Sequence, residues 1–226
     1  RLLISLHKVE NKKEKFEDFK TAISSTVRSL SNSEKIEVSF GNQIPKTEKN
    51  SIKLPELDQK NNKLNFNQIR ATADSKSLRF RFSNDKIFKQ FEPKGNISKQ
   101  LYRIAEKIRC EKIGTSYFKG VKNNIEKFYQ ERVSGLDLKS SEDKIIESFE
   151  NYLRTKFLNF ENDKQIDKKL KSYKKDLNEK FKNKIDQLND LTLKQEKFNS
   201  LISKVITNLN LDENLDEEEK KNDEKN

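Results

Sequence analysis

The sequence predicts a mainly helical protein, and three observations carry this prediction. Apolar residues recur at steps of three and four along most of the chain, the spacing that places them on one face of an α-helix. Charged residues make up 38% of the 226 residues and hydrophobic residues only 31%, and there are only 5 glycines and 3 prolines. This composition is typical of helices with solvated outer faces rather than of a β-sandwich or a large α/β enzyme.

Residues 97–128 carry the most regular helical pattern, and we expect a long helix there at the centre of the fold. Apolar side chains follow one face of this stretch from Ile97 to Phe128. Gly114 and Gly120 interrupt the pattern, and a glycine in a helix interior costs about 1 kcal/mol relative to alanine. We therefore expect a bend or a close packing contact near these glycines.

Further helices are predicted on the same grounds at residues 9–30, 142–158, 163–188 and 192–210. The last two read as an antiparallel helical hairpin, whose narrow apolar stripe predicts that it projects from the main body. The type of residues 65–82 stays open. The first part of this segment has helical spacing, whereas its end, Leu78-Arg79-Phe80-Arg81-Phe82, alternates like a strand.

Two short segments near the N-terminus predict a small β-hairpin laid on the helices. Residues 36–40 alternate apolar and polar side chains before Gly41, and a second short strand is possible at 51–54. The intervening and following residues, up to position 64, contain Pro45, Pro55 and many polar side chains, which is typical of a loop.

Three regions are expected in the chain: a helical N-terminal domain with the short β element at residues 1–158, the helical hairpin at 159–211, and an acidic linker at 212–226. The last region has eight acidic residues and three lysines, a net charge of −5. Its composition predicts disorder, because it offers too little apolar surface to form a core. The rest of the chain carries a net charge of about +16.

The strongly basic body has two interpretations. It could bind phosphates, nucleic acid or an acidic partner. Alternatively, the lysines only decorate solvated helix faces, which their mixing with Glu and Asp favours. The segment Leu78–Phe82 interleaves arginines and aromatic residues, as surfaces that stack single-stranded nucleic acid do, but alternation of apolar side chains into a core explains this short pattern more simply.

The sequence offers no catalytic set of its own. His7 is the only histidine and Cys110 the only cysteine, so neither a Ser-His-Asp triad nor a transition-metal site can be assembled from this chain. A P-loop and a Gly-rich dinucleotide fingerprint are also missing. Cys110 is interpreted as a small packing residue. No catalytic, cofactor-binding or metal-binding residue is therefore predicted.

The sequence also predicts the cellular compartment of the protein. No apolar run is long enough to span a bilayer, and the single cysteine is consistent with a reducing compartment, so we expect a cytoplasmic protein without membrane contacts. The chain contains no methionine, which predicts that it is a piece of a longer protein.

Several motifs, in order and with similar spacing, resemble one family. They are Glu37-Val38-Ser39-Phe40, Leu54-Pro55-Glu56, Arg70-Ala71-Thr72-Ala73-Asp74 with Leu78, Glu106-Lys107-Ile108-Arg109-Cys110-Glu111-Lys112-Ile113-Gly114, and Gly120-Val121-Lys122-Asn123-Asn124. The family is the CobT subunit of aerobic cobaltochelatase, and the resemblance covers roughly residues 16 to 226. The chain resembles the N-terminal region of that subunit. The family's C-terminal von Willebrand factor A-like domain, with its metal-ion-dependent adhesion site, is not in this sequence.

The resemblance implies a place in a multi-subunit machine of cobalamin synthesis that inserts cobalt into hydrogenobyrinic acid a,c-diamide. The expected partners are a AAA+ subunit that hydrolyses ATP and a large corrin-binding subunit, so a hetero-oligomer is implied. The complex uses ATP, magnesium and cobalt, and this region would act by assembly, without a catalytic site. Nucleic acid is not an expected partner. The alternative is a basic helical nucleic-acid-binding protein or a coiled-coil scaffold.

The resemblance also indicates candidate functional residues. Those that match its central motif are candidates for a subunit interface or for a strict packing signature: Glu106, Arg109, Glu111, Gly114, Gly120 and Asn123. Glu106 and Arg109, three residues apart, can pair on one helix face, either as a surface ion pair or against a partner. The family tends to carry histidines near the segment 83–88, where this chain has Ser83 and Phe88.

Overall fold

A computed structural model describes residues 2–45, 49–56, 65–161 and 164–211, and most of these residues lie in helices. The predicted mainly helical fold class is thereby confirmed. The described elements are α1 (Leu2–Ser31), β1 (Glu37–Phe40), β2 (Ser51–Leu54), α2 (Phe66–Phe82), α3 (Asp85–Gln90), α4 (Asn96–Tyr117), α5 (Lys119–Ser134), α6 (Ser141–Leu158), α7 (Lys164–Phe181), α8 (Ile185–Asp190) and α9 (Gln195–Thr207). They belong to two compact units.

The first unit comprises residues 1–81 and 123–128. Its core joins the apolar faces of α1 and α2 to the two strands, through the buried residues Phe16, Ile23, Val27, Ile36, Phe40, Ile52, Leu54, Ile69 and Ala73. Phe19 packs edge-on against Phe66, with ring centroids 4.5 Å apart. Neither strand could stay paired alone in water, so this apolar cover is what stabilises the sheet.

The two strands lie where the sequence predicts them. The predicted β-hairpin is nevertheless wrong, because a hairpin pairs its strands antiparallel and these two strands pair in parallel. Glu37 lies opposite Ser51 and Phe40 opposite Leu54. Hairpin loops of two to five residues reverse the chain, whereas residues 41–50 form a longer connection that returns it to the starting end of β1. Gly41, with φ of 58°, begins this return and donates its N–H to Leu54 O at 2.9 Å.

Helix α2 settles the ambiguous segment, because it continues through Phe82. Leu78 is fully buried on it, whereas Phe80 is only partly buried. Alternate residues of a helix point about 200° apart, so Phe80 lies on a different face from Leu78 and Phe82. The apparent strand pattern is therefore not an aromatic ladder.

The second unit comprises residues 82–122 and 129–226, and α4 lies at its centre. Helix α4 packs against α6 and α9, α6 packs against α7, and α3 and α8 both contact α9. Its buried apolar residues include Leu101, Ala105 and Ile108 of α4, together with Phe149 and Phe157 of α6. The predicted central helix thus lies in the core.

The predicted helix over residues 97–128 is wrong in one respect, since Phe118 divides it into α4 and α5. Phe118 has an extended backbone, with φ of −123° and ψ of 92°. The break does not fall at either glycine. The hydroxyls of Thr115 and Ser116 donate to carbonyls three residues earlier, at 3.2 Å and 2.6 Å, and such local bonds compete with continuation of a helix.

Residues 159–211 also differ from the predicted projecting hairpin. The expected helix over 163–188 is divided into α7 and α8 by residues 182–184. Helix α7 packs on α6 through Leu170 and Phe181, and α9 packs on α4 and α3. These helices pack on the body because their apolar faces are wider than the sequence pattern suggested. The face of α9 includes Phe198, Ile202 and Ile206, each at most 1% exposed.

The predicted division into residues 1–158, 159–211 and 212–226 stays a prediction about domains. The acidic residues 212–226 lie outside the described residues.

Candidate functional site

The residues singled out on α4 are charged and completely buried. Glu106, Arg109 and Glu111 are 0%, 1% and 0% exposed. Burying an unpaired charge is very costly, so such side chains are found inside proteins only with partners. Their partners lie within the second unit, in two ionic networks, which we call the Arg109 network and the Arg154 network after their central guanidinium groups.

In the Arg109 network, α4 pairs two of its own residues. Arg109 donates from Nε to Glu106 Oε2 at 2.9 Å and from Nη2 to Glu106 Oε1 at 2.8 Å, a bidentate ion pair. It also donates to two backbone carbonyls, Thr192 O at 2.7 Å and Phe82 O at 2.6 Å. One side chain thus joins α4 to Phe82 and to the segment before α9, all within the second unit.

Glu106 receives two further hydrogen bonds, which extend this network to α9. Ser83 Oγ donates to it at 2.7 Å and Asn199 Nδ2 at 2.8 Å. Burial opposes the charge of Arg109, but the hydrogen bond from its guanidinium to Glu106 raises its pKa above the ordinary value. The network is therefore a densely hydrogen-bonded ion pair in the protein interior.

The Arg154 network joins α4, α5 and α6. Arg154 donates from Nη1 to Glu111 Oε2 at 2.7 Å and from Nε to Glu150 Oε1 at 2.9 Å. On the other side, Arg132 donates to Glu147 at 2.9 Å and to Glu150 at 3.0 Å. Two arginines and three glutamates from three helices therefore alternate in one chain of contacts.

Tyr129 closes the Arg154 network. Its hydroxyl donates to Glu147 Oε1 at 2.9 Å and accepts from Asn151 Nδ2 at 3.1 Å. The Arg154 guanidinium lies 4.9 Å from the centre of the Tyr129 ring, a cation–π contact. Burial, together with the charge of Glu147, raises the pKa of Tyr129, so its hydroxyl stays protonated and remains a donor.

The central carboxylate of this network is strongly held in its charged form. Burial opposes the charge of Glu150, but Lys107, Arg154 and Arg132 together lower its pKa to about 2. Burial likewise opposes the charge of Arg154, and Glu111 and Glu150 outweigh it and raise its pKa. At neutral pH the two partners are therefore both ionised.

The structure separates the predicted residues into two groups. Glu106, Arg109, Glu111 and Gly114 are buried, whereas Gly120 and Asn123 are exposed. Within a single chain, the donors of Arg109 are already occupied by internal acceptors. This geometry favours the packing alternative for the buried residues, and a subunit contact stays a prediction for Gly120 and Asn123.

Sequence reasoning did not find the partners of these residues. Arg154, Glu150, Tyr129 and Asn199 come from distant positions, so no local spacing connects them to α4. One signal exists: Glu147, Glu150 and Arg154 are spaced to share one face of α6, next to its apolar stripe. A charged row beside a core face can indicate a buried ionic row.

Cys110 lies between the members of the Arg109 network and is 0% exposed, so its predicted burial is confirmed. Its Sγ is 3.6 Å from Arg109 Nη2 and 3.8 Å from Glu106 Oε1. Cys110 therefore packs against the network.

The segment 83–88 takes part in packing as well. Ser83 serves the Arg109 network, and Phe88 stacks on Tyr102 with ring centroids 4.7 Å apart. The Tyr102 hydroxyl donates to Phe88 O at 2.9 Å. Across the described residues, no three His, Cys, Asp or Glu side chains converge as a metal site would require. Nor does any helix described here have the length and apolar character to cross a membrane.

Comparison with known proteins adds a family to this geometry. No solved structure matches the chain significantly. The sequence matches the family model "Cobalamin biosynthesis protein CobT" over residues 13–226, which include α2, α4, α6, α9 and every residue of both ionic networks. Because the match covers nearly the whole chain, the protein belongs to the CobT family of cobalamin biosynthesis proteins.

Proposed function

We propose that this chain is part of a subunit of an ATP-dependent cobaltochelatase, which inserts cobalt into hydrogenobyrinic acid a,c-diamide during aerobic cobalamin biosynthesis. The single observation that carries the proposal is the CobT family match over residues 13–226. In this role the chain acts by assembly with a AAA+ subunit and a corrin-binding subunit, and it contributes no catalytic residue.

The two ionic networks support a scaffold role rather than chemistry. Every charged group at their centre is engaged by a partner from the same chain, as in the bidentate pair of Arg109 and Glu106. General acid–base catalysts need a pKa near the working pH, and Glu150 has one of about 2. Such networks hold the helices of the second unit in fixed positions. A rigid helical surface of this kind is suited to binding a partner subunit.

The cofactors of the reaction are then divided among the parts of the complex. We place ATP and magnesium with the AAA+ subunit and the corrin with the large subunit, while cobalt is a substrate. Arg109 and Arg154, the residues that would bind phosphate best, are committed to internal carboxylates. We therefore propose that this chain transmits motion or sets geometry in a cytoplasmic hetero-oligomer.

The decisive experiment is reconstitution of the full-length protein with the AAA+ and corrin-binding subunits. We expect co-purification of the three subunits and cobalt insertion that depends on ATP and on this protein. A preparation that omits only this subunit is the control. Undiminished cobalt insertion in its absence, or failure to bind either partner, would reject the proposal.

A further inference from the structure

Helix α7 carries a dense basic surface that neither ionic network uses. An open groove along it is lined by six lysines, with Tyr152 and Asn178 among the other lining residues. The lysines are Lys156, Lys168, Lys171, Lys174, Lys175 and Lys182. We call this surface the basic groove.

The basic groove keeps an excess of positive charge after its internal pairing is considered. Its lining also includes Asp167, Glu179 and Asp186, and Lys174 pairs with Asp167. Among the residues that the structure describes, no carboxylate lies within 4.0 Å of the side-chain nitrogens of Lys168, Lys171 and Lys175. These three lysines are exposed and share one face of α7, so they form a continuous row of positive charge.

The acidic end of the sequence begins next to this groove. Leu211, the last described residue, lines a smaller apolar cavity of about 260 Å³ together with Tyr173 and Leu177 of α7. Glu179 lines both this cavity and the basic groove, so the two adjoin. The described part of the chain therefore ends, at Leu211, beside α7.

The acidic segment 212–226 matches the basic groove in both length and charge. Residues 212–226 can span up to roughly 50 Å when extended, while α7 is only about 27 Å long, so the segment can run the length of the groove. The segment carries eight acidic residues, and four of them are consecutive, from Asp216 to Glu219. Its covalent attachment also gives it an effective concentration in the millimolar range, above that of a free competitor.

We propose that the acidic segment 212–226 docks in the basic groove of its own chain, with Asp216–Glu219 opposite Lys168, Lys171 and Lys175. The groove is thereby shielded from other polyanions. A free polyanion that binds the groove must therefore compete with the acidic segment. This proposal does not depend on the cobaltochelatase assignment.

The first test is zero-length carbodiimide cross-linking, which joins a carboxylate to a lysine in direct contact, followed by mass spectrometry. We expect cross-links from residues 216–219 to Lys168, Lys171 and Lys175, reduced about fivefold or more when the salt is raised from 0.05 M to 0.5 M. A mixture of ¹⁵N-labelled and unlabelled chains separates contacts within a chain from those between chains. Mixed-mass products as the main species would reject docking within one chain.

Matched variants make the test specific. The variant Lys168→Gln/Lys171→Gln/Lys175→Gln removes three charges from the groove. The control Lys86→Gln/Lys89→Gln/Lys94→Gln removes three from exposed lysines elsewhere in the second unit. Binding of a fluorescent polyglutamate peptide gives a second measurement that does not depend on cross-linking chemistry.

We expect the variant Asp216→Asn/Glu217→Gln/Glu218→Gln/Glu219→Gln to bind polyglutamate at least about fivefold more tightly than the unchanged protein, because its groove is open. The groove variant should bind it weakly, and the control variant should behave like the unchanged protein. Equal affinity of the acid-neutralised and unchanged proteins would overturn the proposal. So would cross-links that favour Lys86, Lys89 or Lys94.

Discussion

At the scale of single residues, the second unit depends on charges that its own fold neutralises. Arg154 and Glu111 have side chains only 2% and 0% exposed and lie 2.7 Å apart. A buried pair is weak evidence for net stability, because desolvation offsets its attraction. Removing one partner is different, since the other is then left charged and unpaired in a medium of low dielectric.

We therefore expect Arg154→Met to lower the free energy of unfolding by about 3–5 kcal/mol. Chemical denaturation followed by circular dichroism measures this loss. The control is Arg103→Ala, which breaks an ion pair with Glu92 whose arginine side chain is 61% exposed. This control should cost less than about 1 kcal/mol.

The double variant Glu111→Leu/Arg154→Met should regain part of that loss, because it removes one of the carboxylates left unpaired by the arginine change. Equal losses for Arg154→Met and Arg103→Ala would contradict a central role for the Arg154 network.

Asp74, in the first unit, predicts a specific pH dependence. It is 3% exposed and accepts a hydrogen bond from Asn124 Nδ2 at 2.8 Å. Burial raises its pKa from 3.8 to about 6, although Asn124 and Arg70 oppose this shift. Between these two values the folded state binds more protons than the unfolded state, so stability falls as the pH rises from about 4 to about 6.

Asp74→Asn should remove this dependence, because the amide keeps an acceptor for Asn124 and never ionises. We expect the variant to be the more stable protein at pH 7, by up to about 3 kcal/mol. Thermal unfolding of both proteins in steps from pH 4 to pH 7.5 measures the difference. Parallel curves over that range would show that Asp74 does not titrate as its surroundings imply.

At the scale of elements, the ends of helices and strands depend on single backbone positions. Gly41 turns the chain after β1 with φ of 58°, in the left-handed region that side chains disfavour. A Cβ there would also lie 2.9 Å from Glu56 Cβ. Gly120, in the first turn of α5, has no neighbour within 4 Å of an added Cβ.

These two glycines should respond to alanine in opposite directions. Gly41→Ala should destabilise the protein by about 1–2 kcal/mol or more, from backbone strain and the crowding against Glu56. Gly120→Ala should be neutral or stabilising by up to about 1 kcal/mol, because alanine restricts the unfolded chain and favours the helix. Denaturation midpoints of the two variants, compared with the unchanged protein, decide this. A destabilised Gly120→Ala variant would contradict the expected free space.

At the scale of the whole molecule, the question is which surface serves assembly. The buried residues of α4 stabilise the second unit. Changing them should therefore affect partner binding only by lowering the fraction of protein that is folded. The exposed positions Gly120 and Asn123 remain available for a subunit contact. Variants of the buried residues should therefore lose stability, whereas variants of the exposed residues should lose partner binding.

We expect Glu106→Gln to lower the melting temperature, because it leaves Arg109 without its buried counter-charge. The same variant should still bind the proposed AAA+ partner at a temperature at which it is fully folded. Asn123→Ala is the surface counterpart and should leave stability within about 0.5 kcal/mol. Calorimetry and co-purification of each variant measure the two properties. Loss of binding by a fully folded Glu106→Gln variant would place Glu106 in an interface after all.

Much of the local structure could be predicted, and the failures have physical causes. The helices at α1, α6 and the first part of α4 follow from apolar periodicity, since a one-sided stripe must be buried. The break at Phe118 follows hydroxyl–carbonyl bonds of Thr115 and Ser116, which the spacing of apolar residues does not reveal. The parallel pairing of β1 and β2 depends on the path of the connection, and strand alternation is identical in either direction.

The sequence by itself determined the helical class, the buried position of α4 and the family, and it singled out Glu106, Arg109 and Glu111 as candidate residues. These follow from local periodicity and from motif order, which are properties of neighbouring residues. Only the tertiary structure decided that these charges face inward. Two of their hydrogen-bond donors, the amide of Asn199 on α9 and the guanidinium of Arg154 on α6, lie 93 and 43 residues away from Glu106 and Glu111 along the chain. Folding brings such distant groups together through the packing of whole helices, and a charged residue beside an apolar stripe has the same local pattern whether its partner is solvent or a buried arginine.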